Sequence, residues 1–420
     1  MVAQQTSQKV LVDVPSISQP EKAGVQQTNQ MQPAPSINHG EKAVVRLINL
    51  RANSLASATS DRIILNPSCE VMVTSRCNMN CRYCIAGNLL KEDISIHTGH
   101  EAIDYFVHLS EGAEVLDFSF TGGEPTLDFS VLENLIEYAV IKTNEKGMGA
   151  RISIKTNGTL LNEVRYEILK KYKCTVFISV DGMETDNNAF RVLPGKNSYG
   201  MVAETVKALL ANDISVVASM TVHPEAAKNV IQGVRNLAGL GLTRINIAPV
   251  YGTVEWDDES VNDFIDSLVL VAQWIKQNNK KFENLDIGPI YSNSEHHSKK
   301  LQASWGCSAG SSNIAFLPNG DICGCSSLAM ISSKQPDLVL GSAAYGVDQA
   351  KLDSFIETVN GNILYREKCR NCSSSMNCSG GCLAINYSSN DSPFSPPDIY
   401  CRTISSIEHL WNIAWGESDA

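Results

Sequence analysis

The sequence predicts an α/β protein, a partial (β/α)6 TIM-like barrel open on one side, followed by a cysteine-rich segment. Three observations predict it. Between residues 62 and 290, short apolar runs alternate with helical patterns, as in a parallel sheet with crossover connections. The alternation yields six strand–helix units, short of the eight that close a barrel. Beyond residue 300 the composition shifts, and eight of the thirteen cysteines lie there among many Ser, Asn and Gly.

Taken in order, residues 1–45 are rich in Gln, Ser, Pro and Ala and poor in aromatics, which predicts a disordered tail. Residues 46–61 form a short amphipathic lead-in, and residues 62–295 make the barrel. Its predicted strands are Glu70–Thr74, Val115–Thr121, Arg151–Lys155, Thr175–Val180, Ser215–Thr221 and Arg244–Pro249. The helices between them are predicted at His100–Ser110, Leu127–Lys146, Glu163–Lys171, Tyr199–Asn212 and Pro224–Leu240. His296 and His297 fall in a polar loop and read as solvated. Residues 300–420 show little periodicity until a closing helix at Ile404–Trp415. A cysteine-dense, loop-rich segment of this kind buries little apolar surface and needs metal sites as staples.

Composition excludes several classes. The formal charge is −11, from 34 basic and 45 acidic residues, and no Lys/Arg run resembles a nucleic-acid footprint. No apolar stretch is long enough to cross a membrane, and the first 30 residues lack the basic and apolar regions of a signal peptide. A cytoplasmic location is therefore expected. Thirteen cysteines, an odd number at ligand-like spacings, read as metal ligands rather than disulfides.

The first chemical motif is Cys77-Asn78-Met79-Asn80-Cys81-Arg82-Tyr83-Cys84, a CxxxCxxC run directly after the first strand. Three thiolates can hold three corners of a cubane iron–sulfur cluster and leave one iron open for a small molecule. A zinc knuckle or three unrelated core cysteines would share the spacing. After the second strand comes Thr121-Gly122-Gly123-Glu124-Pro125, whose glycines permit close backbone approach and whose proline suits a helix start. Thr156-Asn157-Gly158 and Ser179-Val180-Asp181-Gly182 end the third and fourth strands. Short polar side chains at strand ends either contact a ligand or cap the next turn. Arg191 carries a planar fork suited to a carboxylate, with a surface salt bridge as the alternative.

CxxxCxxC with Tyr83 before its last cysteine, followed by the GGEP run, resembles the signature of the radical S-adenosylmethionine (radical SAM) superfamily. The resemblance implies a [4Fe–4S] cluster on Cys77, Cys81 and Cys84 whose open iron binds SAM. It implies that Tyr83 lies near the adenine, that the backbone of Gly122, Gly123, Glu124 and Pro125 meets the SAM amino group, and that Thr156, Asn157 and Ser179 contact ribose or substrate. Asp181 is the candidate base and Arg191 the candidate carboxylate binder.

Farther on, Cys307 is followed by twelve residues, Gly320, four residues and Cys325; then come Cys369, Cys372, Cys378 and Cys382 at CxxCx5Cx3C spacing and, after eighteen intervening residues, Cys401. This resembles the seven-cysteine pattern of the SPASM domain, which implies two auxiliary [4Fe–4S] clusters and three in all. Cys369, Cys372, Cys378 and Cys401 would hold one, and Cys307, Cys325 and Cys382 the other. Cys323 is the candidate for its fourth ligand. Cys69 and Cys174 match no motif and read as buried hydrophobes.

The family expectation is a peptide maturase that abstracts hydrogen from a short ribosomally made precursor peptide and cross-links its side chains oxidatively. A reductant such as flavodoxin or ferredoxin would supply electrons. The nearest alternative is an anaerobic sulfatase-maturing enzyme, but there an aspartate follows the cysteine of the Gx4C step, and here Ser326 stands at that position. A non-catalytic iron–sulfur or zinc protein is the alternative of another class.

Overall fold

A computed structural model describes residues 67–282, 285–291, 307–359, 367–369, 371–376, 378 and 380–416. The tail, the lead-in and the His296–His297 pair lie outside the described residues. Among the described residues, one sheet of eleven strands organises the molecule. Its strands in chain order are β1 (Ser68–Thr74), β2 (Val115–Gly122), β3 (Gly149–Thr156), β4 (Thr175–Ser179), β5 (Ser215–Val222), β6 (Arg244–Pro249), β7 (Asp286–Gly288), β8 (Asn313–Phe316), β9 (Asp321–Cys323), β10 (Gly341–Ser342) and β11 (Gly346–Val347). The spatial order is β11-β10-β9-β8-β1-β2-β3-β4-β5-β6-β7, parallel from β8 through β7 and antiparallel from β8 to β11.

The six predicted barrel strands are all present, and helices α1 (Ile96–Leu109), α2 (Phe129–Glu145), α3 (Glu163–Lys171), α4 (Glu184–Phe190), α5 (Ser198–Ala211), α6 (Val230–Gly239) and α7 (Asp258–Asn278) connect or follow them. Along β2, Leu116, Phe118 and Phe120 pack against helical side chains such as Phe106, Leu132 and Leu135. The alternate residues Asp117 and Ser119 turn to the other face. β3 repeats this with Ile152 and Ile154, and β4 with Val176 and Ile178. A parallel sheet covered on both faces would read as continuous apolar runs. The alternation here therefore makes the inner face of the open barrel polar.

Five of the seven barrel helices start on a capping side chain. Ser95 accepts the Thr98 N–H at 3.0 Å, so α1 begins four residues before the predicted His100. Asp257 and Ser260 form a reciprocal capping box that starts α7, a helix absent from the predicted elements along with α4.

The C-terminal segment is more regular than its sequence suggests. β8 to β11, α8 (Ser326–Ala329), α9 (Gln349–Val359), α10 (Leu383–Asn390) and α11 (Asp398–Trp415) all lie there, and α11 starts six residues before the predicted Ile404. Strands of two to four residues are too short to show a period, and neighbouring strands supply their pairing. β8 pairs in parallel with β1, from Ser68 opposite Asn313 to Val71 opposite Phe316. α11 lies on α7, where Arg402 meets Asp258 at 3.2 Å, and Trp415 donates its ring N–H to the Ile290 carbonyl at 3.1 Å.

Asp128 caps α2, and the Ser130 hydroxyl and Val131 N–H hold its carboxyl below the usual aspartate range. A depressed folded-state value gives stability that is complete above about pH 4 and lost as pH falls. Asp128→Asn caps without titrating, so its urea midpoint should decline less than the parent's on acidification below about pH 4.

Candidate active site

The CxxxCxxC loop leaves the carboxyl end of β1. Cys77 and Cys84 are exposed and Cys81 is half-buried. Cys81 is held in a two-residue antiparallel bridge, with Asn80 opposite Val192 and Cys81 opposite Arg191. The Cys77 sulfur accepts the Met79 N–H at 3.4 Å. Burial pushes the Cys81 thiol up to about 11 and raises Cys77 as well. Such thiols release protons when a metal cation takes their place. Three thiols on one loop, one already accepting a backbone N–H, suit an iron–sulfur cluster with an open iron.

The GGEP run braces this loop. A Cβ at Gly122, whose φ is +131°, would sit 2.1 Å from the Thr74 carbonyl oxygen, and one at Gly123 would sit 2.2 Å from that of Arg76. Without side chains there, the Gly123 N–H reaches the Thr74 carbonyl at 2.7 Å and the Glu124 N–H reaches that of Arg76 at 2.9 Å. The Glu124 carboxylate is fully buried. One of its oxygens accepts from the Thr126 N–H (3.1 Å), the Thr126 hydroxyl (2.5 Å) and the Thr156 hydroxyl (2.7 Å). The other accepts from the Asn157 N–H at 2.7 Å.

Asn157 carries the network on, donating to the Asn78 side chain at 2.9 Å, while Asn78 donates to the Thr159 hydroxyl at 2.9 Å. Glu124, Thr156 and Asn157, predicted as cofactor contacts, thus fix the ends of β2 and β3 to the cysteine loop. Pro125 is buried beside them, and Ser179 ends β4 half-buried. Asn78 and Thr159 were missed by sequence reasoning. Asn78 fills a variable place in the motif, and only the folded loop gives it partners.

Tyr83, Asp181 and Arg191 form one buried polar group. The Tyr83 hydroxyl donates to Asp181, Arg191 donates to the Tyr83 oxygen at 2.7 Å, and Arg191 lies 3.7 Å from the Asp181 carboxylate. Asp181 also accepts the Thr221 N–H at 3.1 Å. Burial raises the Asp181 carboxyl, with Arg191 and Tyr83 opposing. The carboxylate that Arg191 meets here is Asp181, so the triad ties the cysteine loop to the ends of β4 and β5. Beside it, the Thr253 hydroxyl reaches the Tyr83 carbonyl at 3.3 Å. Thr253 belongs to the loop after β6, which borders a cavity of about 660 Å³ with Trp256, Lys368, Ser389 and Asp398.

The C-terminal cysteines sort into neighbourhoods. Cys307, Cys325 and Cys382 pack half-buried against the main core, and burial pushes Cys325 up to about 12, with Cys382 and Cys307 adding to it. Burial pushes Cys401 up to about 11, and Cys378 and Cys369 add to that shift. Cys372 follows Cys369 in a turn closed by a 3.3 Å backbone bond. Tyr251 and Tyr400, with ring centres 6.3 Å apart, lie between the two neighbourhoods. Cys323 is completely buried in a second apolar cluster with Met72, Ala86 and Leu89; burial pushes its thiol up to about 12, Cys325 adds to the shift, and Ser332 lies beside it. Among the described residues, no three His, Cys, Asp or Glu side chains converge on a single metal ion.

A further group escaped the sequence reading. Glu70, on the inner side of β1, accepts from Lys155, from the Ser326 N–H and hydroxyl at 2.8 Å each, and from Asn313 at 3.3 Å. Burial opposes its ionised form, yet Lys155 and Ser326 hold its carboxyl below the usual glutamate range.

The radical SAM superfamily profile matches residues 71–238, the stretch that carries every barrel motif described above. Over this stretch the chain is similar to radical SAM enzymes. Among radical SAM relatives it is 21% identical over 339 residues to the radical SAM cyclopropyl synthase TigE of Paramaledivibacter caminithermalis, covering 75% of this chain and 67% of that one. It is 37% identical over 137 residues to the uncharacterized protein MJ0907 of Methanocaldococcus jannaschii, covering 33% of this chain and 45% of the relative. The fold is similar to that of anSMEcpe solved with bound AdoMet and Kp18Cys peptide, with a TM-score of 0.68 at 18% identity, over 83% of this chain and 99% of that one. It is also similar to Streptococcus suis SuiB bound to precursor peptide SuiA, with a TM-score of 0.59 at 16% identity, over 90% and 84% of the two chains.

Glu124→Gln keeps one acceptor oxygen of two, so it should lower unfolding stability by about 1–3 kcal/mol in urea denaturation. Iron bound per chain after reconstitution should fall with it.

Proposed function

We propose that the chain is a radical SAM peptide maturase that cross-links side chains of a short ribosomally made precursor peptide. The observation that carries this reading is one architecture holding both cysteine systems. The Cys77–Cys84 loop is braced at the carboxyl ends of β1 to β5, and the seven further motif cysteines lie in a segment paired directly to β1. The superfamily match supports an enzyme, which sets aside the non-catalytic reading.

Cys77, Cys81 and Cys84 would hold a [4Fe–4S] cluster, which supplies the electron for SAM cleavage to a 5′-deoxyadenosyl radical. Cys307, Cys325 and Cys382, and separately Cys369, Cys372, Cys378 and Cys401, would hold two auxiliary clusters. The chain's own residues do the rest. Tyr83, Asp181 and Arg191 fix the loop and exclude water from its inner side. The polar inner face, with Ser153, Lys155, Ser179 and Asn246, offers hydrogen-bonding partners to a peptide backbone. The cavity by Thr253 and Trp256 opens beside the cysteine loop and gives an extended chain a route inward. A flavodoxin- or ferredoxin-type reductant and a reducing cytoplasm belong to the same proposal; among the described residues no helix is long and apolar enough to cross a membrane.

Sulfatase maturation is the second reading, favoured by the fold similarity to anSMEcpe. The residue after Cys325 is Ser326, whose hydroxyl donates to Glu70, so no acid stands at that position.

Three cubane clusters predict about 12 iron and 12 sulfide per chain after anaerobic reconstitution. With dithionite and SAM the protein should release 5′-deoxyadenosine, and replacing Cys77, Cys81 and Cys84 by Ala should abolish release and remove about 4 iron. About 4 iron in the parent would confine the clusters to the barrel. Precursor peptides and sulfatase-derived peptides, compared by mass loss on incubation, separate the two substrate readings.

A further inference from the structure

Glu70 is an unusual residue for the middle of a parallel barrel strand. Its side chain is only 12% exposed, and it gathers four donors from three places. Lys155 comes from β3 and is 43% exposed on the polar inner face. Asn313 comes from β8, and Ser326 gives both its backbone N–H and its hydroxyl. Ser326 directly follows Cys325. The carboxylate thus accepts hydrogen bonds from the residue next to Cys325, which with Cys307 and Cys382 packs against the main core. On its other side it pairs with a lysine on the substrate-facing surface.

A carboxylate that needed only burial compensation would be satisfied by Lys155 and Asn313. The double bond to Ser326 does something more: it fixes the start of α8, and with it the Cys325 backbone, against β1. Because Ser326 follows Cys325 directly, the same two hydrogen bonds keep the carboxylate close to that cysteine. In an iron–sulfur site, nearby net charge and the hydrogen bonds around the sulfurs set the reduction potential.

We propose that Glu70 is a positioning and charge-setting residue for the cluster site formed by Cys307, Cys325 and Cys382, with Lys155 as its counterweight on the inner face. This rests on the reading that those cysteines bind a cluster. An anionic Glu70 disfavours adding an electron and lowers the potential. Lys155 offsets part of that effect.

The test is an EPR-monitored redox titration of the anaerobically reconstituted full chain. The C-terminal component is assigned as the one lost in Cys325→Ser. Glu70→Gln should move its midpoint to more positive potential at unchanged iron content, and Lys155→Gln should move it to more negative potential. A purely structural role would not give opposite signs. If Glu70→Gln does not load iron, Lys155→Gln still decides the matter, because its side chain is nearly half exposed and its fold contribution is small. Unchanged midpoints, or shifts of the same sign in both variants, would overturn the proposal while leaving the cluster reading intact. A parent protein with no iron–sulfur signal lost in Cys325→Ser would overturn both.

Discussion

The structure depends on the close approach of two backbones that side chains would prevent. Gly122 and Gly123 leave room for the Thr74–Arg76 carbonyls, and the N–H groups of Gly123 and Glu124 bond to them. The cysteine loop has almost no regular structure of its own, so its polar backbone needs such partners. The buried Glu124 carboxylate extends the hold from β2 to Thr156 and Asn157 at the end of β3, and Asn157 returns it to Asn78 inside the loop. A charged group buried at this position is stable because four donors surround it. The result is a cysteine loop held at both its backbone and its Asn78 side chain.

β1 links the two cysteine systems. Its carboxyl end runs into the CxxxCxxC loop, its edge pairs in parallel with β8, and its inner side carries Glu70 to Ser326 beside Cys325. One strand and its neighbour therefore hold the two cysteine systems in a single sheet.

The inner face of the barrel is the third element. Lys155 on β3 reaches across β2 to Glu70 on β1, Arg151 and Asp117 pair between the neighbouring β3 and β2, and the hydroxyls of Thr175 and Ser215 lie 3.4 Å apart. A polar face can satisfy buried donors and acceptors where an apolar one would leave them unpaired. The Tyr83–Asp181–Arg191 group closes this face at the cysteine loop.

The sequence by itself determined the barrel strands and the cysteine motifs. Periodicity located the six strands because each has one face on the helices, and motif spacing located the cysteines because ligands on a short loop must be close in sequence. It missed α7 despite its Asp257 capping box, and it missed the two- to four-residue strands of the C-terminal segment, whose pairing comes from neighbours distant in the chain. The tertiary structure alone decided that Arg191 meets Asp181 through Tyr83, and that Glu124 and Asn157 brace the loop. It alone brought Glu70 to Ser326 across 256 positions and buried Cys323 in a second apolar cluster. Such contacts join residues with no periodic or spacing relation, so only the folded chain brings them together.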